Sequence, residues 1–170
     1  MKKIVLIITV ALATISCQQD KIAFVDNTKL LNEYQEKIDI EAKYKTKFEA
    51  FGKKRDSITQ TFQQEAQAFQ QEAQKLSQNA AQEKYQTLMQ KSQTIQEQIQ
   101  GEEQQLAMDS QGEIDSLLKK VKDFVVDYGK SNGYTFILGK NEAGSVMYGE
   151  SSKDITDEVL RALNDQYKNK

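Results

Sequence analysis

Apolar residues first occur as one unbroken run, Ile4–Ala13, directly behind Lys2 and Lys3. Beyond it they follow two periods in turn. Lys21-Ile22-Ala23-Phe24-Val25-Asp26 is short, rich in strand formers and closed by Asp26-Asn27, which predicts a β-strand. Ile22 and Phe24 point to one side and Ala23 and Val25 to the other. An apolar residue set on both faces belongs inside a sheet or a subunit interface.

From about Thr28 to Gly129 the pattern changes to a helical one, with Asn27 or Thr28 able to cap its start. Apolar residues recur at Ile58, Phe62, Phe69, Ala73 and Leu76, then at Leu88, Ile95, Ile99 and Leu106. The average spacing is about seven residues, which predicts helices paired as a coiled coil. The segment Gln60–Gln111 holds eighteen Gln, with Glu, Lys and Ala in most other places. The same composition suits a polar disordered tract, but a periodic apolar seam would then have no purpose. The seam thins over Leu76-Ser77-Gln78-Asn79-Ala80-Ala81, where Ser and Asn offer local turn and capping bonds. A fold-back there predicts two arms of roughly 50 residues, each about 75 Å long. Gly52, Gly101 and Gly112 fall inside the arms, where each weakens the helix by up to about 1 kcal/mol relative to Ala and can mark a bend.

The descending arm ends in a one-sided stripe, Ile114, Leu117, Leu118, Val121, Phe124, Val125 and Tyr128, expected to pack against a body. Gly129 and Ser131-Asn132-Gly133 stop the helix. Tyr134–Leu138 and Ser145–Gly149 flank Asn141-Glu142-Ala143-Gly144, which predicts a β-hairpin. The last segment predicts an amphipathic helix capped by Thr156, with Asp157 and Glu158 in its first turn and Val159, Leu160, Leu163 and Tyr167 facing inward.

Composition sharpens this picture. The absence of Pro in all 170 residues suits long uninterrupted helices, and a hydrophobic share of 38% suits an elongated chain rather than a large core. Lys2, Lys3 and the ten apolar residues after them read as an export signal, too short to span a bilayer. Ser16 before the lone Cys17 resembles a lipobox, in which Cys17 is lipidated and becomes the mature N-terminus. Thr14 stands where such signals usually carry Leu, and an ordinary secretory signal with an incidental Cys is the other reading. Removing Lys2 and Lys3 leaves 21 basic against 25 acidic residues, so a mature chain is near −4. That balance gives no attraction to phosphate backbones, and nucleic-acid binding is not expected. With no His, one Cys, no Gly-rich phosphate loop and no Ser nucleophile motif, neither an enzyme nor a cofactor or metal site is expected.

The order of elements on an exported chain resembles the Skp (OmpH-like) family of periplasmic chaperones. Lys21–Asp26 is similar to that family's opening strand, and Tyr134–Leu138 and Val146-Met147-Tyr148 to its later strands. Lys153-Asp154-Ile155-Thr156-Asp157-Glu158-Val159-Leu160 is similar to its closing segment almost letter for letter. The resemblance implies an α+β fold in which a long antiparallel helical hairpin is attached to a small β body. Residues 1–16 are then the leader and 17–170 one Skp-like domain, with 21–26 and 134–170 as the body and 28–129 as the arms. It further implies a homotrimer whose arms surround a cavity that holds unfolded outer-membrane β-barrel proteins without ATP, in the periplasm of a Gram-negative bacterium. The lipidated Cys17 would tether it to a membrane. Familiar members are strongly basic and soluble; this chain is mildly acidic, its arms are dominated by neutral Gln, and it carries the lipobox. The resemblance therefore does not bring electrostatic capture or lipopolysaccharide binding with it.

Contacts with a client need apolar area that is wide and adaptable, which aromatic and Met side chains supply. The candidates are Phe48, Phe51, Phe62, Phe69, Tyr85, Leu88, Met89 and Met108. Phe62, Phe69 and Leu88 sit at seam positions and also suit arm-to-arm packing; Phe48, Phe51 and Met89 are expected to face a cavity. Ile22, Phe24, Phe136, Leu138, Val146 and Tyr148 are assigned to the β body and its subunit contacts, because a few short strands are not stable alone and leave edges to cover. The alternative is a coiled-coil envelope spacer that binds no client.

Overall fold

Strand β1, Ile22–Asp26, opens the computed structural model, which describes residues 20–169; the leader, the lipobox and Cys17 lie outside the described residues. Three helices and a second strand follow: α1 Asn27–Glu33, α2 Gln35–Ala73, α3 Gln78–Ser131 and β2 Phe136–Lys140. A 3-10 turn at Ser151–Lys153 leads into α4, Thr156–Lys168. Asp26, not Asn27 or Thr28, caps α1: its carboxylate accepts from the Lys29 N–H at 3.0 Å.

The predicted single helix from Thr28 is broken at Tyr34, whose backbone is extended (φ −72°, ψ 120°). Nothing in the local sequence marks this break, because its cause is tertiary. The Tyr34 side chain is completely buried, and Asn164 of α4 accepts the otherwise orphaned N–H of Gln35 at 2.9 Å. Further on, α2 and α3 form the expected hairpin. Ser77 caps α3, accepting from Ala80 N–H, so the turn occupies residues 74–77 at the front of the predicted stretch. The arms are unequal, 39 and 54 residues or about 58 and 81 Å, because α3 continues past the root of α2 into the body.

The sheet differs from expectation. The run 145–149 forms no strand, and β2 pairs instead with β1, in parallel, from Ile22 opposite Phe136 to Asp26 opposite Lys140. Parallel strands need a long crossover, and here the whole helical arm serves as one. The predicted turn does form: Gly144 (φ +83°) closes it by donating to the Asn141 carbonyl at 3.1 Å. Beyond it the chain crosses the Phe24 side of the sheet, where a Cβ on Gly149 would lie 2.4 Å from the Phe24 ring. Asp154 then bridges the free edge of β1, and Ile155 N–H donates to the Phe24 carbonyl at 3.0 Å. The strand with two apolar faces thus lies in the middle, where both its edges are used.

Ala23 and Val25 on the other face of β1 join Leu30, Tyr34, Leu117, Val121, Ile155, Val159 and Leu163 in one core. Fully burying Leu30 or Leu163 stabilises the body by about 2 kcal/mol each. Thr156 is not the N-cap of α4. It is the first helical residue and is buried; its Oγ1 accepts from Asp26 N–H at 2.9 Å, while its own N–H donates to Asp154 at 2.9 Å. The closing segment therefore ties the end of β1 to the start of α4.

Candidate functional site

The arm seam is built on an 11-residue repeat rather than an averaged heptad. On α3 the half-buried positions Leu88, Ile95, Ile99, Leu106 and Ser110, then the buried Leu117 and Val121, advance by seven and four alternately. Such a period is close to that of a straight helix, so the two arms can lie side by side with little supercoiling.

Five ion pairs cross from α2 to α3 beside this seam. They are Glu36–Lys120, Lys43–Glu113 (2.5 Å), Lys54–Glu102 (2.7 Å), Glu65–Lys91 and Glu72–Lys84. Lys43, helped by the Tyr44 hydroxyl donating at 3.0 Å, holds the Glu113 carboxyl below the usual range. At the root, Tyr34 bonds Glu36, Tyr167 donates to Asp39 at 3.0 Å, and the Lys120 ammonium lies over both tyrosine rings, 5.9 and 5.6 Å from their centroids. Burial, followed by the hydrogen bond to Glu36, pushes the Tyr34 phenol up to about 12. This cluster joins α2, α3 and α4 where the arm leaves the body. The sequence reading missed it and the ion pairs, although the signal was present as opposite charges placed symmetrically about residue 78.

The candidate contact residues separate into two groups. Phe62, Phe69 and Leu88 are half-buried in the seam. Phe51 is only 8% exposed, so the expectation that it faces a cavity fails: it lies one 11-residue step from Phe62, on the seam side of α2. Phe48, three residues earlier, is turned out to solvent, and Tyr85, Met89 and Met108 are each more than half exposed. Phe48 and Met108 stand at the same height of the arm; Tyr85 and Met89 stand about 30 Å nearer the tip.

In the body, Phe24 is buried beneath the 149–154 segment and Val146 is half-buried, whereas Ile22, Phe136 and Leu138 are exposed. Met147 and Tyr148 are 91% and 84% exposed, the most open large apolar side chains among the described residues. An open apolar groove of about 420 Å³ runs beside Leu138, lined by Leu30, Leu31, Leu118, Val121 and Val126. Among the described residues no cluster of three or more acidic or Cys side chains could hold a metal ion, and no helix is long and apolar enough to cross a membrane.

The family model described as outer membrane protein (OmpH-like) matches residues 21–163. A crystal structure of a candidate outer membrane chaperone (OmpH-like) from Caulobacter crescentus CB15 shares the fold, with a TM-score of 0.76 over 86% of this chain and 85% of that one, at 16% identity. No curated protein matches.

Proposed function

Because the chain belongs to the outer membrane protein (OmpH-like) family, we propose that it is an ATP-independent periplasmic holdase for unfolded outer-membrane β-barrel proteins. The observation that carries this reading is the set of large apolar side chains left exposed off the arm seam, Phe48, Tyr85, Met89 and Met108. A holdase needs such area; a hairpin that only holds itself together does not. Trimeric assembly would cover Ile22, Phe136 and Leu138, which stay exposed on the sheet face that the 149–154 segment covers only over Phe24. Three arms hanging from such a body would enclose the client. Lipidation of Cys17 would tether the assembly, and three acyl-bearing N-termini per trimer would hold it firmly at a membrane surface.

One feature favours the structural spacer instead: the ion pairs run without interruption from the root of the arm to its tip. A single experiment decides between the two. A urea-denatured outer-membrane β-barrel protein is diluted with and without the purified mature chain, in the absence of nucleotide. Suppressed light scattering at a trimer excess is expected; unchanged scattering would leave the spacer.

A further inference from the structure

The five cross-arm pairs all lie on one broad side of the hairpin, which defines two faces. At about 100° per residue, Glu65 and Glu72 on α2 and Lys84 and Lys91 on α3 are turned to the same side of the seam. The helical stretches 59–73 and 78–100 contain six charged residues. Four are these rungs. The other two, Glu83 and Glu97, point to the back of α3, where Glu97 accepts from Gln93 at 2.9 Å. The opposite face of the outer arm carries no charge at all. It presents Gln63, Ala66 and Gln70 on α2 and Tyr85, Met89 and Gln96 on α3, nearly all exposed. Nearer the root the same side carries Phe48, Ile114 and Leu118 but also the charged Arg55, seven residues from Phe48, and Glu103, five turns from Tyr85, so the uncharged surface is confined to the outer arm.

We infer that this uncharged face is the client-contacting surface of the arm, that the laced face is turned outward, and that its occupant is a low-charge, extended stretch of unfolded polypeptide. The inference rests on the holdase reading and specifies it. Covering a surface that holds ionised side chains requires stripping water from them, which is costly; this face has none to strip. Gln63, Gln70 and Gln96 offer amide donors and acceptors that match a bare backbone, and Tyr85 and Met89 offer apolar area of adaptable shape. A phosphate-bearing partner finds no cation on this outer stretch.

The test places a photo-crosslinking residue at Gln70 or Gln96 on the neutral face and at Ala68 or Gln98 on the laced face, none of which is a rung. The full mature assembly is loaded with a urea-denatured β-barrel protein and irradiated. Crosslinks to the client are expected at 70 and 96 and only weakly at 68 and 98. In parallel, the pair Gln70→Lys and Gln96→Lys should weaken capture by about tenfold, whereas Ala68→Lys with Gln98→Lys should not. Equal crosslinking from both faces, or crosslinks at 70 and 96 between copies of the chain without client, would overturn the assignment. A wild-type chain that fails to hold the client would instead sink the holdase reading itself, and this surface with it.

Discussion

Lys54 on α2 and Glu102 on α3 meet at 2.7 Å, and their residue numbers add to 156. The same holds for 36 with 120, 43 with 113, 65 with 91 and 72 with 84. The hairpin is thus reflected about residue 78, the first residue of α3, with no slippage from root to tip. The rungs step by seven, eleven, eleven and seven, so 36 residues separate the first from the last. That is ten turns at about 3.6 residues each, the spacing that keeps a stripe on one side of a straight helix.

Exposed pairs of this kind contribute about 0–1 kcal/mol each, so the ladder is weak as a source of stability. Its effect is on register. Sliding one arm by seven residues would bring Glu36 to Glu113 or Lys43 to Lys120; sliding by eleven would bring Lys54 to Lys91 or Glu65 to Glu102. Each of these slips also forms one opposite-charge pair, but only the native register makes all five rungs opposite in charge. Lys54→Glu should therefore lower the unfolding free energy read from urea denaturation by about 1 kcal/mol at low salt. Adding Glu102→Lys should restore it. A double variant no more stable than the single one would remove the rung from the account.

Acid should loosen the same ladder. Glu113 has its carboxyl depressed, first by the Lys43 hydrogen bond, with burial opposing. A depressed carboxylate contributes stability above its unfolded value and loses it as pH falls through the folded value. Thermal midpoints should therefore decline below about pH 4.5, the ordinary glutamate value. Glu113→Gln should make that decline shallower. A variant with an unchanged acid profile would show that this rung contributes nothing to it.

Which features were readable beforehand follows from how local their causes are. The opening strand, the turn before Gln78, the helix stop at Gly129–Gly133 and the closing helix all have their causes within a few residues, and each was placed to within about two positions. The break at Tyr34 was not, because it depends on a buried ring and on Asn164, about 130 residues away. The partner of β2 was misplaced for a related reason. Asn141–Gly144 does make a turn, but β2 pairs with the edge of β1, and the run after the turn crosses the Phe24 face instead of returning along β2. Phe48 and Phe51 illustrate the same limit at the surface: both are aromatic, and only the 11-residue phase of the seam decides which one is buried.

Thr156 carries a prediction of a different kind. Its Oγ1 accepts the Asp26 N–H at 2.9 Å inside the junction of β1 and α4. Thr156→Val keeps the shape but removes the acceptor, leaving a backbone donor with no partner, and should cost about 1–3 kcal/mol in chemical unfolding. Thr156→Ser keeps the hydroxyl and should cost far less. Equal losses from the two substitutions would trace the effect to the methyl group and its packing.

The exposed face of the sheet gives the last prediction. Phe136 lies opposite Ile22 and Leu138 opposite Phe24 in the parallel register, so Ile22, Phe136 and Leu138 form one apolar patch on a two-stranded sheet. Left in water, that patch and the open edge of β2 invite uncontrolled pairing, which a closed assembly prevents. Phe136→Glu leaves the core behind the sheet untouched, because the core is built on Ala23 and Val25. It should therefore preserve helical content by circular dichroism while shifting the mass by light scattering from the proposed trimer toward a monomer. It should also abolish client holding, since a lone arm encloses nothing. A variant that keeps the wild-type mass would show that subunits meet elsewhere, and Met147 with Tyr148, the most exposed apolar pair, would be the surface to change next.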